Sequence, residues 1–222
     1  MRGSSVKFNM KLLSTITNLL LGVTTSAAFP AENSARTIND LVTSKITWTG
    51  QVKPGEAVLS ITGTAEEIYK QIIQINPNYD NELGLNSNQS TIARRGLEPI
   101  KKRATTSDDW TCTYGNNVNA ESIGAGVRYL YSIANADCSA PPGSPGAGGC
   151  SVSSCNSGAG IWLCNDASNT VNIPCTIIAD NAVEVLINCQ TTTYNGDETW
   201  TSFTHGQIFS DDHTWNVILN QC

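Results

Sequence analysis

Residues 149–165 read GCSVSSCNSGAGIWLCN, and this stretch decides the predicted fold. It contains two runs that are typical of strands, 149–155 and 160–165, separated by residues 156–159 (NSGA). A short connection rich in Asn, Ser and Gly is typical of a β-hairpin, because these residues tolerate the backbone of a tight turn. We therefore predict an antiparallel pair of strands in the middle of residues 104–222.

A helix is predicted on each side of this hairpin. Residues 119–134 (NAESIGAGVRYLYSIA) and 176–189 (TIIADNAVEVLINC) place apolar side chains three or four positions apart, which defines one face of a helix. These inner positions are Ile123, Val127, Leu130, Ile178, Ala182 and Val185. Asn119 is suited to cap the first helix. Gly124 and Gly126 weaken it but allow close approach to a sheet.

The remaining pattern completes an α+β domain. Residues 110–114, 206–209 and 213–219 are predicted strands, and 191–202 is a polar segment with Asn195-Gly196 as its turn. The predicted order is β-α-β-β-α-β-β. Two helices separated by a hairpin usually lie on one face of an antiparallel sheet, so we expect a two-layer α/β sandwich.

The beginning of the chain has the pattern of a signal peptide. Lys7 and Lys11 precede an apolar run of about 12 residues, which is short of the roughly 20 that span a bilayer. Small residues then end at Ala28, where we predict cleavage. Met10 is an alternative start. Residues 1–28 are therefore a predicted signal peptide, and we expect secretion to the extracellular space without a membrane span.

Residues 29–103 are a predicted pro-segment. Strand patterns on both sides of Pro54-Gly55 and a capping-box helix from Thr64 predict a β-β-α unit over 45–79, followed by a linker over 80–103. The unit either docks on the rest of the chain or acts as a passive spacer. Lys102-Arg103 suits a kexin-type processing protease, so we expect a mature domain over 104–222. Asn88 is the one glycosylation sequon.

Charge and cysteine content change at this same boundary. Residues 104–222 contain Arg128, no lysine and 11 acids, which gives 1 − 11 = −10. This charge argues against nucleic-acid and anionic-membrane partners. All eight cysteines also lie in this part, and an even count is typical of a disulfide-stabilised secreted domain. The predicted disulfide cysteines are Cys112, Cys138, Cys150, Cys155, Cys164, Cys175, Cys189 and Cys222.

Three pairing hypotheses follow from position. Cys155 and Cys164 stand on either side of the hairpin turn, and Cys138 and Cys175 both lie at loop edges. Cys222 is expected to fix the terminal strand by pairing with another element, with Cys112 or Cys189 as the candidates.

Five stretches of the chain form a familiar pattern: Tyr129-Leu130, 150–155, 160–166 and 178–189, together with WTGQVKPGEAVLSITGTAEEIYKQIIQINPN over 48–78. This pattern resembles small secreted cysteine-rich proteins of filamentous fungi. The plan is also similar to the α/β-sandwich killer toxins of smut fungi. The resemblance implies an effector-like or toxin-like protein. The extra cysteine pair and the acidic charge depart from those toxins.

The catalytic candidates do not form a recognisable set. His205 and His213 with Asp211 and Asp212 match no short metal-ligand motif, and we expect solvated loop residues and no cofactor. His205, His213, Glu198 and Arg128 are the residue types of a guanyl-preferring ribonuclease, but their order along the chain differs from that family. Trp162 and Trp215 are expected in the core, whereas Trp110 and Trp200 are candidates for an exposed carbohydrate platform.

We therefore expect a secreted effector or killer-toxin-like protein that acts by binding, without catalysis. Its partner would be a protein or glycan of a host or competitor, in addition to the kexin-type protease that matures it. A small acidic ribonuclease-like hydrolase is the first alternative. A structural protein of the cell wall is the second.

Overall fold

The computed structural model describes residues 43–82, 109–134, 136–143 and 148–222. We call residues 43–82 the N-terminal segment and residues 109–222 the cysteine-rich part. Several predicted features lie outside the described residues: the signal peptide with Ala28, the sequon at Asn88, and the processing site at Lys102-Arg103.

The N-terminal segment contains two strands and two helices. They are β1 (Thr43–Gly50), β2 (Leu59–Gly63), α1 (Ala65–Ile75) and α2 (Tyr79–Glu82). The predicted capping box is present, because the Glu67 N–H donates to Thr64 Oγ1 and the Thr64 N–H donates to Glu67 Oε2. Local sequence therefore defines where α1 begins.

The cysteine-rich part contains ten strands and two helices among its described residues. The strands are β3 (Trp110–Thr111), β4 (Val118–Asn119), β5 (Ala136–Ala140), β6 (Gly149–Asn156), β7 (Ala159–Asn165), β8 (Val171–Pro174), β9 (Thr191–Tyr194), β10 (Trp200–Thr204), β11 (Gly206–Phe209) and β12 (Trp215–Gln221). The helices are α3 (Ala120–Ser132) and α4 (Cys175–Cys189). The predicted mixture of a few helices with mostly strands is confirmed.

Nine of the described strands form one sheet in the order β3-β11-β12-β7-β6-β1-β5-β8, and β2 also pairs with β1. Strands β4, β10 and β9 form a second, smaller sheet. The expectation of a purely antiparallel sheet is wrong, because Thr43–Lys45 of β1 runs parallel to Cys150–Val152 of β6. Local sequence patterns do not predict this pairing, because it joins residues more than 100 positions apart.

The predicted hairpin is formed by β6 and β7. Its turn places Ser157 at φ 50° and Gly158 at φ 78°. Positive φ at both central residues is what a two-residue hairpin turn of type I′ requires. Every residue of β7 is buried. This explains why its sequence, AGIWLCN, is a nearly continuous apolar run rather than an alternating one.

Both long helices of the cysteine-rich part follow their predicted patterns. Asn119 caps α3, accepting a hydrogen bond of 2.9 Å from the Ser122 N–H. The predicted inner positions of both helices are buried. Gly126 also allows close approach: a Cβ at this position would lie 2.2 Å from Ser154 Oγ on β6. Helix α3 packs on β6, β7 and α4, and α4 packs on β11 and β12.

All eight cysteines are paired, in four disulfides. The bridges are Cys112–Cys189, Cys138–Cys175, Cys150–Cys164 and Cys155–Cys222. The predicted Cys138–Cys175 pair is confirmed.

The Cys155–Cys164 hypothesis is wrong. Cys222 does pair with another element, but its partner is Cys155 and neither of the two candidates, Cys112 and Cys189. Cys164 lies directly opposite Cys150 in the β6–β7 ladder, whereas Cys155 lies opposite Gly160, four residues nearer the turn. Cys155 instead bonds Cys222 across β7. A Cβ at Gly160 would lie 2.8 Å from the Cys222 Cβ, so the missing side chain leaves space for this bridge.

Candidate functional site

The two histidines lie in separate loops and make separate contacts. His205 connects β10 to β11, and its Nδ1 lies 2.8 Å from Asn117 Oδ1. His213 lies between β11 and β12, is exposed, and places its Nδ1 3.4 Å from Asp109 Oδ2. Within the part of the chain that the structure describes, no group of three or more His, Cys, Asp or Glu side chains is arranged to hold a metal ion.

The other two ribonuclease-type residues lie on further elements. Arg128 is on the exposed side of α3, and Glu198 is in the β9–β10 turn with φ 63°. The Glu198 N–H donates a hydrogen bond of 3.2 Å to the Tyr194 hydroxyl. The four candidates thus occupy four different loops or helices. A general acid–base reaction needs its groups within hydrogen-bond reach of one substrate.

The tryptophans separate into buried and exposed groups. Trp162 is buried and Trp215 packs partly buried against the core, so the prediction for Trp162 is confirmed and that for Trp215 holds only in part. Trp110 and Trp200 are exposed, with 39% and 65% of their surface accessible. This distinction identifies Trp200 as the most accessible tryptophan among those described.

Trp200 belongs to a hairpin within the predicted polar segment over 191–202. Strands β9 and β10 pair antiparallel, and Trp200 lies directly opposite Tyr194. The two ring centroids are 4.8 Å apart at an interplanar angle of 50°. Tyr194 is 49% exposed, although aromatic residues of this size are usually more buried. The sequence signal was present, because Tyr194 and Trp200 flank the Asn195-Gly196 turn.

One face of this hairpin combines aromatic and hydroxyl groups. Residues opposite each other in an antiparallel ladder share a face, and alternate pairs share the same face. The pair Thr192–Ser202, with hydroxyl oxygens 3.2 Å apart, therefore lies on the same face as Tyr194–Trp200. We call these four residues the aromatic face. All four are exposed or half-exposed.

Hydrogen bonds hold the turn at the end of the aromatic face. The Asn195 side-chain amide donates to Thr199 Oγ1 and Thr201 Oγ1, both at 2.9 Å. The Thr199 hydroxyl donates to Asp197, and this bond holds the pKa of the Asp197 carboxyl below its ordinary value. The carboxylate therefore stays charged at neutral pH. These bonds reduce the freedom of the loop that joins Tyr194 to Trp200.

An open pocket lies where β1 meets β5, but its lining offers little chemistry. It is lined mainly by small, apolar or neutral polar residues, and Asp137 is its one charged residue. Outside this pocket, the Tyr131 hydroxyl donates to Asp180 in a partly buried contact that joins α3 to α4. The aromatic face is therefore the best candidate site.

Comparisons with protein-family models, with curated proteins and with solved structures found no match to this chain. In the described residues, no helix has the length and apolar character needed to cross a membrane. The functional assignment therefore depends on the geometry given above.

Proposed function

We propose that this chain is a secreted effector or killer-toxin-like protein that acts by binding a target of another organism through its aromatic face. The observation that carries the proposal is the exposed Tyr194–Trp200 pair. Tyrosine and tryptophan are the residues most enriched at the energetic centres of interfaces, since they bury a large area at low cost in side-chain entropy. Such a pair on a surface otherwise rich in threonine is well suited to recognition.

The charge around the aromatic face disfavours an anionic target. Asp197 and Glu198 lie in its turn, and the cysteine-rich part contains a single cation, Arg128. An anionic ligand such as a nucleic acid would be repelled. A sugar ring presents C–H groups to an aromatic face and hydroxyls to Thr192 and Ser202. We therefore propose a neutral glycan of a host or competitor as the target.

Four disulfides support this function and an extracellular location. They enclose stretches of chain with sequence separations of 14, 37, 67 and 77 residues. Each bridge of this kind stabilises a small domain by about 2–4 kcal/mol, mainly by restricting the unfolded chain. A surface that is rigid before binding loses less entropy on association.

The proposal includes the finer fold and the maturation expected from the sequence. Helices α3 and α4 contact each other and strands of the same large sheet, which supports a two-layer sandwich with both helices on one face. The signal peptide over 1–28 and cleavage after Arg103 complete the route to the outside of the cell. A kexin-type protease is the proposed processing partner.

A glycan-binding experiment tests the proposal. Purified protein is applied to an array of neutral and charged cell-wall glycans, and bound ligands are titrated by calorimetry. We expect Trp200→Ala to weaken binding of a neutral glycan at least tenfold, since a central aromatic contributes about 1.4 kcal/mol or more. Trp110→Ala is the matched control and should bind normally. Equal loss in both variants, or binding of charged glycans alone, would contradict the proposal.

A further inference from the structure

The N-terminal segment supplies a central strand to the large sheet. β1 pairs with β6 through Thr43–Lys45 and with β5 through Thr47–Gly50. In the order of the sheet, β1 is the strand that connects β6 to β5 and β8. Removing it would leave backbone N–H and C=O groups of two strands without partners, which is costly inside a fold.

The apolar contacts of this segment belong to the same core as the cysteine-rich part. Its fully buried side chains share one continuous cluster with α3, α4, β7 and β12. They are Ile46, Trp48, Ala65, Ile68, Ile72 and Tyr79. The Tyr69 ring also contacts the Tyr129 ring of α3, with centroids 5.9 Å apart. The segment therefore completes the core.

Polar contacts fix the position of the segment. The Trp48 indole N–H donates to the Ile133 carbonyl oxygen at 3.1 Å, and the Ser44 and Ser151 hydroxyl oxygens lie 2.8 Å apart. The Ser154 hydroxyl donates to the Glu66 carboxylate. Two of these bonds come from β1 and the third comes from α1. They define one orientation, which apolar packing alone specifies less well.

No disulfide joins the segment to the cysteine-rich part, because all eight cysteines lie in the latter. We propose that residues 43–82 remain a non-covalently bound subunit after the chain is cut between residues 82 and 109. Hydrolysis of the Arg103–Ala104 bond would add one water, leaving a carboxylate on Arg103 and an amine on Ala104. The product would be a two-chain protein rather than residues 104–222 alone. This inference does not depend on the target of the aromatic face.

A site-specific cut in the full-length protein tests the proposal. Residues 101–103 are replaced by the recognition sequence of a specific protease, and the folded, oxidised protein is cleaved completely. We expect both chains to elute together in size-exclusion chromatography. Native mass spectrometry should give the mass of the uncut protein plus one water. Separation of the N-terminal chain from a still-folded cysteine-rich chain would overturn the proposal.

Two variants relate the association to the observed contacts. Trp48→Ala should raise the dissociation constant of the two chains of the cut protein by roughly a hundredfold or more, because it removes a fully buried aromatic side chain. Val58→Ala, at a position 60% exposed in the same segment, should change this dissociation constant less than about threefold. If Trp48→Ala fails to fold, Trp48→Phe takes its place, and its two chains should still bind each other more weakly than those of Val58→Ala. Equal dissociation constants would contradict the proposed interface.

Discussion

The indole N–H of Trp48 donates a 3.1 Å hydrogen bond to the carbonyl oxygen of Ile133. The two residues are 85 positions apart, on opposite sides of the predicted processing site. Trp48 and Ile133 are both fully buried, so this bond lies inside the core rather than at an exposed contact between domains. The segment that the sequence assigns to processing is thus part of the folded interior.

Replacement of Trp48 by alanine in the uncut protein should lower the free energy of unfolding by about 3–5 kcal/mol, the usual cost of deleting a buried aromatic side chain. Trp48→Phe should lower the free energy of unfolding less, since it removes only the N–H donor and part of the ring. Urea unfolding followed by circular dichroism measures both values. A loss below about 1 kcal/mol for Trp48→Ala would contradict a core role for β1.

The two disulfides at the β6–β7 hairpin should differ in their contribution to stability. Cys155–Cys222 encloses a sequence separation of 67 residues and Cys150–Cys164 one of 14. On the chain-entropy account, the first contributes about 4 kcal/mol and the second about 3 kcal/mol. Paired Cys→Ser variants, compared by thermal unfolding, give the two values. The chain-entropy account is wrong if removal of Cys150–Cys164, the disulfide that closes the shorter loop, is the more destabilising.

The Lys45–Glu67 pair predicts a limited loss of stability in acid. The hydrogen bond from Lys45, together with the Thr64 N–H, holds the pKa of Glu67 below its ordinary value of 4.5. This stabilisation is complete above pH 4.5 and is lost as the pH falls through the folded-state pKa. Both side chains are about half exposed, so its size is below about 1 kcal/mol.

Glu67→Gln is the matched variant, because glutamine keeps the capping-box geometry without the charge. Its stability should fall less steeply than that of the wild type across the acid range. The measurement is urea unfolding at a series of acidic pH values. Parallel pH curves for the two proteins would show that this pair makes no contribution.

Tyr79 predicts a loss of stability in alkali. Burial raises its pKa from 10.0 to about 12, and among the described residues its hydroxyl has no hydrogen-bond partner. The resulting stability is complete below pH 10 and is lost as the pH rises through the folded-state value. Tyr79→Phe should unfold at equal or slightly higher urea near neutral pH. Above pH 10 the difference in stability between Tyr79→Phe and the wild type should grow. A difference that stays constant as the pH rises would refute this.

Local patterns predicted the elements whose residues contact near neighbours. The β6–β7 hairpin and the helices α3 and α4 follow from turn residues and apolar spacing within about 15 positions. Strand β5 (ADCSA) was missed because its buried positions carry only Ala and Cys, small residues without the strand preference of β-branched or aromatic side chains, and its pairing with β1 gives it its extended form. The Cys155–Cys222 bridge was missed for a similar reason, since it depends on two neighbouring strand registers.

The candidate site was predicted in part. The exposure of Trp200 followed from its polar surroundings, but Tyr194 was not identified. The Asn195-Gly196 turn indicates a hairpin, but the threonine-rich flanks lack the apolar alternation that would predict which residues pair. The observed register places Tyr194 opposite Trp200.

The most direct test of the binding account compares three proteins in one assay of effect on a target organism. These are the wild type, Trp200→Ala, and the double variant His205→Ala/His213→Ala, each verified by circular dichroism. The account predicts that Trp200→Ala loses the effect while the double histidine variant retains it, because recognition by the aromatic face requires no proton transfer. An active Trp200→Ala protein together with an inactive double variant would contradict the account and favour a hydrolase.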